Sequence, residues 1–206
     1  MAIMSALEPI VFVVDDEPAV RTAVARLLRA AGTNVCTFAT SQEFLDAFDR
    51  SQPGCLVLDI AMPGLTGLEL QDALAARDCR IPIIFLTGRA DIPMSVQAMK
   101  RGAVDFLTKP VRDKPLLEAI ERALAKDRSD RAAETELKEL QARADSLTPR
   151  ELEVFRHVVA GQLNKQIAGD LGIVEQTIKV HRARVMEKMR ASSIADLVRF
   201  AERLGL

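Results

Sequence analysis

Five short apolar runs lie in the first part of the chain: Ile10–Val14, Val35–Phe38, Cys55–Ile60, Ile83–Leu86 and Val104–Leu107. They are continuous rather than alternating, which suits strands buried on both faces. Helical spacing fills the gaps between them. Val20, Ala23, Val24, Leu27, Leu28 and Ala31 mark one helix, and Gly32 stands where a C-terminal cap belongs. Thr40 and Glu43 form a capping-box pattern ahead of Phe44, Leu45 and Phe48. Leu70 and Leu74 mark a third helix, Val96 and Met99 a fourth, and Leu117, Ile120 and Leu124 a fifth. Such βα repetition predicts an α/β doubly wound parallel five-stranded sheet with helices on both faces.

The pattern then changes. From Lys126 to Asp145, eleven of twenty residues are charged and neither Gly nor Pro occurs, so a helix is expected. Ala133, Leu137, Leu140, Ala144 and Leu147 repeat at steps of four and three, a short apolar seam. The seam suits a helical linker leaning on a neighbouring domain, or one that couples modules or pairs with its twin. Beyond it, Thr148, Pro149 and Glu151 open a helix that ends at Gly161. A short helix over 165–171 stops at Gly172, a longer one runs from about Glu175 to Arg190, and Ser192–Ser193 start a last one through Arg203. A helix, a short turn with Gly and a second helix form a helix-turn-helix pattern in a small all-α bundle.

Charge divides the chain at the same place. Residues 146–206 carry 10 Lys+Arg and 7 Asp+Glu, a net of +3, while residues 1–145 carry 18 and 22, a net of −4. Two modules with different partners are expected. Cys36, Cys55 and Cys79 lack CxxC spacing, and only two histidines occur, so neither a disulfide framework nor a zinc centre is indicated. No apolar run reaches the ~18 residues of a membrane span. Met1–Ile10 has no basic start followed by an apolar stretch, so secretion is not expected and a cytoplasmic location is.

In a doubly wound sheet, chemistry gathers at the carboxyl ends of the strands. Those ends hold Asp15 and Asp16, then Asp59, Thr87 and finally Lys109. An Asp at one strand end is commonly a turn residue, but here every polar member falls at the same edge. Carboxylates held close repel one another unless a cation is present. A small set of oxygen ligands with room for water suits Mg²⁺, and Lys109 offers a compact charge for a phosphate. A carboxylate in such surroundings can attack a phosphoryl group.

Asp15–Asp16, Leu-Asp-Ile-Ala-Met-Pro-Gly at 58–64, Leu-Thr-Gly at 86–88 and Asp-Phe-Leu-Thr-Lys-Pro at 105–110 resemble the receiver domain of two-component response regulators. The resemblance covers residues 8–126. It implies that Asp59 is the phosphoacceptor. It also implies that Asp16, Asp59 and the backbone carbonyl of Ala61 ligate Mg²⁺ directly, with Asp15 acting through water. Thr87 would sense the phosphoryl oxygen, Lys109 would pair with it, and the Lys109–Pro110 bond is expected to be cis. Phe106 stands at the aromatic switch position, where a rotamer switch working through packing and a plain core role both remain open. The stretch from Asp91 to Phe106 is similar to the FixJ branch, in which the face around the fourth helix and fifth strand pairs two receivers; Val96 and Lys100 occupy matching positions. Arg89–Ala90 departs from that branch's usual His-Gly.

On the helix from Glu175, Ile178, Val185 and Met189 share one side, which should be buried. Gln176, Val180, Ala183 and Glu187 face the other way, flanked by Lys179, Arg184, Thr177 and Lys188. A short or apolar stripe with basic flanks fits the major groove of DNA, the flanks on phosphates and the centre on base edges. Leu147-Thr-Pro-Arg-Glu, Asn164-Lys-Gln-Ile-Ala and Gln176-Thr-Ile-Lys-Val-His resemble the LuxR-type helix-turn-helix domain, over residues 146–206. By that resemblance Lys179, Val180 and Ala183 face bases, while Asn164, Lys165, Thr177 and Arg184 lie near phosphates. Val174 replaces a common capping Ser, and Ala183 replaces a long basic residue found in some relatives.

The resemblances imply a transcription factor with three segments: receiver 8–126, helical linker 127–145 and DNA-binding domain 146–206. A sensor histidine kinase would phosphorylate Asp59, and the modified chain would form a homodimer on promoter DNA and act on RNA polymerase. No catalytic turnover is expected beyond self-phosphorylation from a phosphodonor and autodephosphorylation. Two other readings stay open: a DNA-binding regulator whose receiver is only an interaction module, and a Mg²⁺-dependent phosphatase working through an aspartyl phosphate.

Overall fold

The computed structural model describes residues 7–88 and 92–206. Arg89, Ala90 and Asp91 lie outside the described residues, and with them the loop departure noted above. The chain divides into two compact units, Met1–Asp130 and Arg131–Leu206.

In the first unit, β1 (Ile10–Val14), β2 (Asn34–Phe38), β3 (Gly54–Asp59), β4 (Ile83–Thr87) and β5 (Asp105–Thr108) form one parallel sheet in the order β2-β1-β3-β4-β5. The strands coincide with the five apolar runs to within a residue or so. Alternation along β1, β3 and β4 feeds two cores, whereas the edge strands β2 and β5 are only half-buried to exposed, against the expectation of burial on both faces, because each has a neighbour on one side alone. Phe12, Val14, Leu56, Leu58 and Phe85 face one layer of helices. Val11, Val13, Cys55, Val57, Ile84 and Leu86 face the other. Where both faces are covered, as along β1, β3 and β4, the runs read as continuous rather than alternating. On the first face, Phe44 is fully buried and meets Phe12 and Phe38 edge-on, with centroids 5.7 and 5.6 Å apart.

The helices of this unit are α1 (Pro18–Ala30), α2 (Ser41–Ala47), α3 (Gly67–Ala76), α4 (Ile92–Lys100) and α5, which starts at Asp113. Thr40 caps α2, but Glu43 reaches the backbone N–H of Ala39 rather than that of Thr40, so the expected box is only half made. A complete box forms instead at Thr66 and Glu69 before α3. Gly54 starts β3 at φ +158, where a Cβ would stand 1.9 Å from the Ile10 carbonyl oxygen. Its N–H donates to the buried carboxylate of Asp127, 3.0 Å away.

The linker is not a separate element. α5 runs unbroken from Asp113 to Asp145, 33 residues, because no Gly or Pro occurs between Pro115 and Asp145 to stop it. Its last turns belong to the second unit. There Leu140, Ala144 and Leu147 join a core with Val154, Phe155, Ile167, Ile178, Val185, Met189 and Leu197. The lower part of the seam therefore leans on the bundle, while Leu137 stays 42% exposed.

The bundle consists of α6 (Pro149–Val159), α7 (Asn164–Leu171), α8 (Glu175–Met189) and α9 (Ile194–Leu204). Thr148 and Glu151 close the capping box expected for α6, and Ser193 with Asp196 closes another for α9. Gly172 ends α7 at φ +66, the left-handed turn that glycine adopts without strain. Val174 begins α8 with no side-chain cap.

Candidate functional site

The carboxyl ends of β1, β3, β4 and β5 bring Asp15, Asp59, Thr87 and Lys109 to one edge of the sheet. Asp15 is fully buried, and Asp59 and Thr87 are nearly so. The Lys109 ammonium sits 2.7 Å from Asp15 Oδ2, 3.3 Å from Asp59 Oδ2 and 2.9 Å from Glu17 Oε1. Its backbone N–H donates to the Thr87 carbonyl at 2.7 Å, tying two strand ends together. The peptide bond from Lys109 to Pro110 is cis. Gly67, at the start of α3, abuts the same place: a Cβ there would lie 2.3 Å from the Asp59 carbonyl oxygen.

Burial pushes the Asp15 carboxyl above its ordinary pKa, despite opposing contacts with Lys109 and the Glu17 N–H. Burial would depress Lys109, but the carboxylates around it, Asp15 and Glu17 foremost, reverse this and raise its pKa. One oxygen remains uncommitted: Asp59 Oδ1 is buried and has no hydrogen-bond partner among the described residues. Carboxylate oxygens of Asp15, Glu17 and Asp59 lie within 4.8 Å of one another. An anionic, all-oxygen set with an unsatisfied buried acceptor fits a hard divalent cation such as Mg²⁺.

Two expected positions stand differently. Asp16 is half-buried and is not one of the three converging acids. Ala61 is exposed, two residues beyond Asp59. Glu17 was missed, although it continues the acidic run of Asp15–Asp16. Phe106 is half-buried against the first core. Val96 and Lys100 are both exposed on α4, beside Met99.

In the second unit, α8 buries Ile178, Val185 and Met189 completely. Gln176, Lys179, Val180, Ala183, Arg184 and Glu187 are exposed, and Thr177 is half-buried. Asn164 is half-buried and Lys165 exposed at the start of α7. Lys188 is turned elsewhere. Its ammonium lies 2.6 Å from the buried Glu151 carboxylate and 2.9 Å from the Ser146 carbonyl. The expected phosphate-side role therefore gives way to a structural one, since the long side chain follows the nearest buried charge. Lys188 first, and the Thr148 N–H next, hold the Glu151 carboxyl down at about 2. Arg182, another residue missed, donates to Asn164 Oδ1 at 2.6 Å.

The family model for the response regulator receiver domain matches residues 11–121, and that for bacterial regulatory proteins of the luxR family matches residues 145–201. The chain is 47% identical to nodulation protein W of Bradyrhizobium diazoefficiens over 96% of its own length and 87% of that protein. It is 43% identical to the transcriptional regulatory protein FixJ of the same organism, covering 95% and 96% of the two chains. The structure of the response regulator StyR superposes with a TM-score of 0.85 at 47% identity, over 95% of this chain and 99% of that one.

Proposed function

Because this chain belongs to the response regulators that join a receiver domain to a LuxR-type DNA-binding domain, we propose that it is a transcription factor switched by phosphorylation of Asp59. The observation that carries the reading is the buried Asp59 Oδ1, without a hydrogen-bond partner among the described residues, on a carboxylate whose other oxygen faces the Lys109 ammonium. An Asp59 carboxylate oxygen attacks the phosphorus of a phosphohistidine on a sensor kinase. The new P–O bond replaces the P–N bond, and the imidazole leaves and takes a proton from water. Asp15, Asp16, Glu17, Asp59 and the Ala61 carbonyl would hold Mg²⁺, which when bound offsets charge on the transferring phosphoryl group.

Lys109 supplies the other counter-charge, and Thr87 would meet a phosphoryl oxygen. The modification adds a charge of about −1.5 to −2. In this reading it biases β4, β5 and α4, and the exposed Val96 and Lys100 join a face that pairs two receivers, with Phe106 adjusting its packing. Pairing brings two copies of α8 to promoter DNA, raising affinity through effective concentration. Gln176, Lys179, Val180 and Ala183 meet base edges there, and Asn164, Lys165, Thr177 and Arg184 meet phosphates. Lys188 is left out of that set. The kinase, the promoter and RNA polymerase are the partners this requires, and the chain would act in the cytoplasm.

The test is light scattering on a sizing column with Mg²⁺ and beryllofluoride, a stable phosphoryl mimic. Refractive index must serve as the mass detector, since the chain has no Trp or Tyr. The expected result is a doubling of mass that Asp59→Asn abolishes. A doubling that survives Asp59→Asn would overturn the mechanism.

A further inference from the structure

A shallow recess opens where α7 and α8 begin, lined by Leu163, Asn164, Lys165, Glu175, Lys179 and Arg182. Three of its six residues are cations and one is an acid. That acid, Glu175, is engaged with Lys179 at 3.4 Å, so the recess has a positive surplus beside the exposed face of α8. Arg182 is the member without an assigned task. Its side chain crosses from α8 to α7 and donates to Asn164 Oδ1.

An arginine has only donors, so the Asn164 carbonyl must face it. The Asn164 NH₂ must then point away from Arg182. Leu163, which precedes α7, is 69% exposed and caps none of the helix's first N–H groups with its side chain. Leu163's own N–H donates to Gln166 Oε1 at 2.8 Å, and Glu175 is held by Lys179, so the Asn164 NH₂ is the side-chain donor left at the start of α7 beside Lys165.

We propose that Arg182 is a positioning residue of the DNA interface: by claiming the Asn164 carbonyl, it aims the Asn164 NH₂ at a backbone phosphate next to Lys165. The assignment rests on the DNA-binding reading above and deepens it. A phosphate contact carries no sequence information, so its loss weakens all duplexes alike. Arginine suits the task because its planar fork of donors fixes the amide.

The experiment uses the full chain and two unrelated fluorescein-labelled 30-bp duplexes, with anisotropy titrations over a salt series. Arg182→Met and Asn164→Ala should each weaken binding to both duplexes by about tenfold, the scale of one hydrogen bond to a charged group. The double variant should be no weaker than either single one. Arg182→Lys should recover most of the affinity. Lys165→Ala should add independently and lower the salt slope by about 0.9, one phosphate's share. Thermal unfolding should be unchanged in the Arg182 and Asn164 variants.

Additive losses for Arg182→Met and Asn164→Ala would overturn the positioning role, as would an Asn164→Ala variant that binds normally. A lowered unfolding temperature accompanying the Arg182→Met loss would also overturn it. If the wild-type chain binds neither duplex at low salt, the DNA-binding reading itself fails and this assignment falls with it.

Discussion

Lys109 Nζ lies 2.7 Å from Asp15 Oδ2, and both side chains are largely shut off from water. The pair keeps two buried acids at one sheet edge tolerable, because the same ammonium is 3.3 Å from Asp59. Lys109→Met would strand those carboxylates, and breaking a buried pair in this way costs about 3–5 kcal/mol. The first unit should unfold earlier in EDTA. Mg²⁺ should restore more stability to the variant than to the wild type, because a bound cation takes over the missing counter-charge. Paired melts with and without Mg²⁺ read this, and an equal Mg²⁺ response in both proteins would contradict it.

Gly67 has no room for a side chain. The atoms a Cβ would meet are backbone, the Asp59 oxygen at 2.3 Å and Ile60 Cα at 3.0 Å, so relief requires moving the strand end that carries Asp59. Gly67→Ala should destabilise the receiver by about 1–3 kcal/mol and weaken beryllofluoride capture as well. The first effect is measured by urea unfolding and the second by titration of the mass shift.

Val174 is 69% exposed and leaves the first turn of α8 without a side-chain acceptor. Val174→Ser loses little packing and gains a cap, a change of about 0.5–1 kcal/mol in favour of the fold. For a unit of this size, 1 kcal/mol moves the melting temperature by roughly 4–8 °C. The transition of the second unit should therefore rise by a few degrees in a calorimetric scan. A fall would mean that the valine packs in a way its exposure does not reveal.

Glu151 connects stability to pH. Its carboxyl is held at about 2 in the folded chain, against an ordinary 4.5. A depressed acid contributes stability that is fully present above the unfolded value. That contribution is lost as pH falls from about 4.5 through about 2. The second unit should lose stability across this window, and Glu151→Gln should flatten the loss while lowering stability at neutral pH. Denaturant unfolding followed by helical circular dichroism over a pH series tests both parts.

Much of this architecture was legible in the amino-acid order. Val11 and Val13 face one core and Phe12 and Val14 the other, and a run apolar at every position announces such two-sided burial. Thr148, Pro149 and Glu151 announced the start of α6, because capping is local chemistry. The site acids at strand ends were visible for the same reason, being fixed by their place on a strand. Side chains with long reach were not. Lys188 lies on a basic helix flank, yet it bends to Glu151, 37 positions earlier. Arg182 finds Asn164, and Glu17 finds Lys109. Helical periodicity gives the direction in which such a residue leaves the backbone but not the partner within its length. The continuity of α5 was missed for another reason: a change of composition at Lys126 resembles a boundary, but nothing there breaks a helix.

The hydrogen bond from Gly54 to Asp127 has a consequence for synthesis. All five strands have been translated once Thr108 is added, but the first N–H of the central strand β3 waits for a carboxylate that arrives 73 residues after it. While that carboxylate is still inside the ribosome, the nascent sheet carries a donor meant to be buried and not yet matched. That hydrogen bond can form only once α5 has emerged as far as Asp127, and any shortened fragment must retain Asp127 to make it.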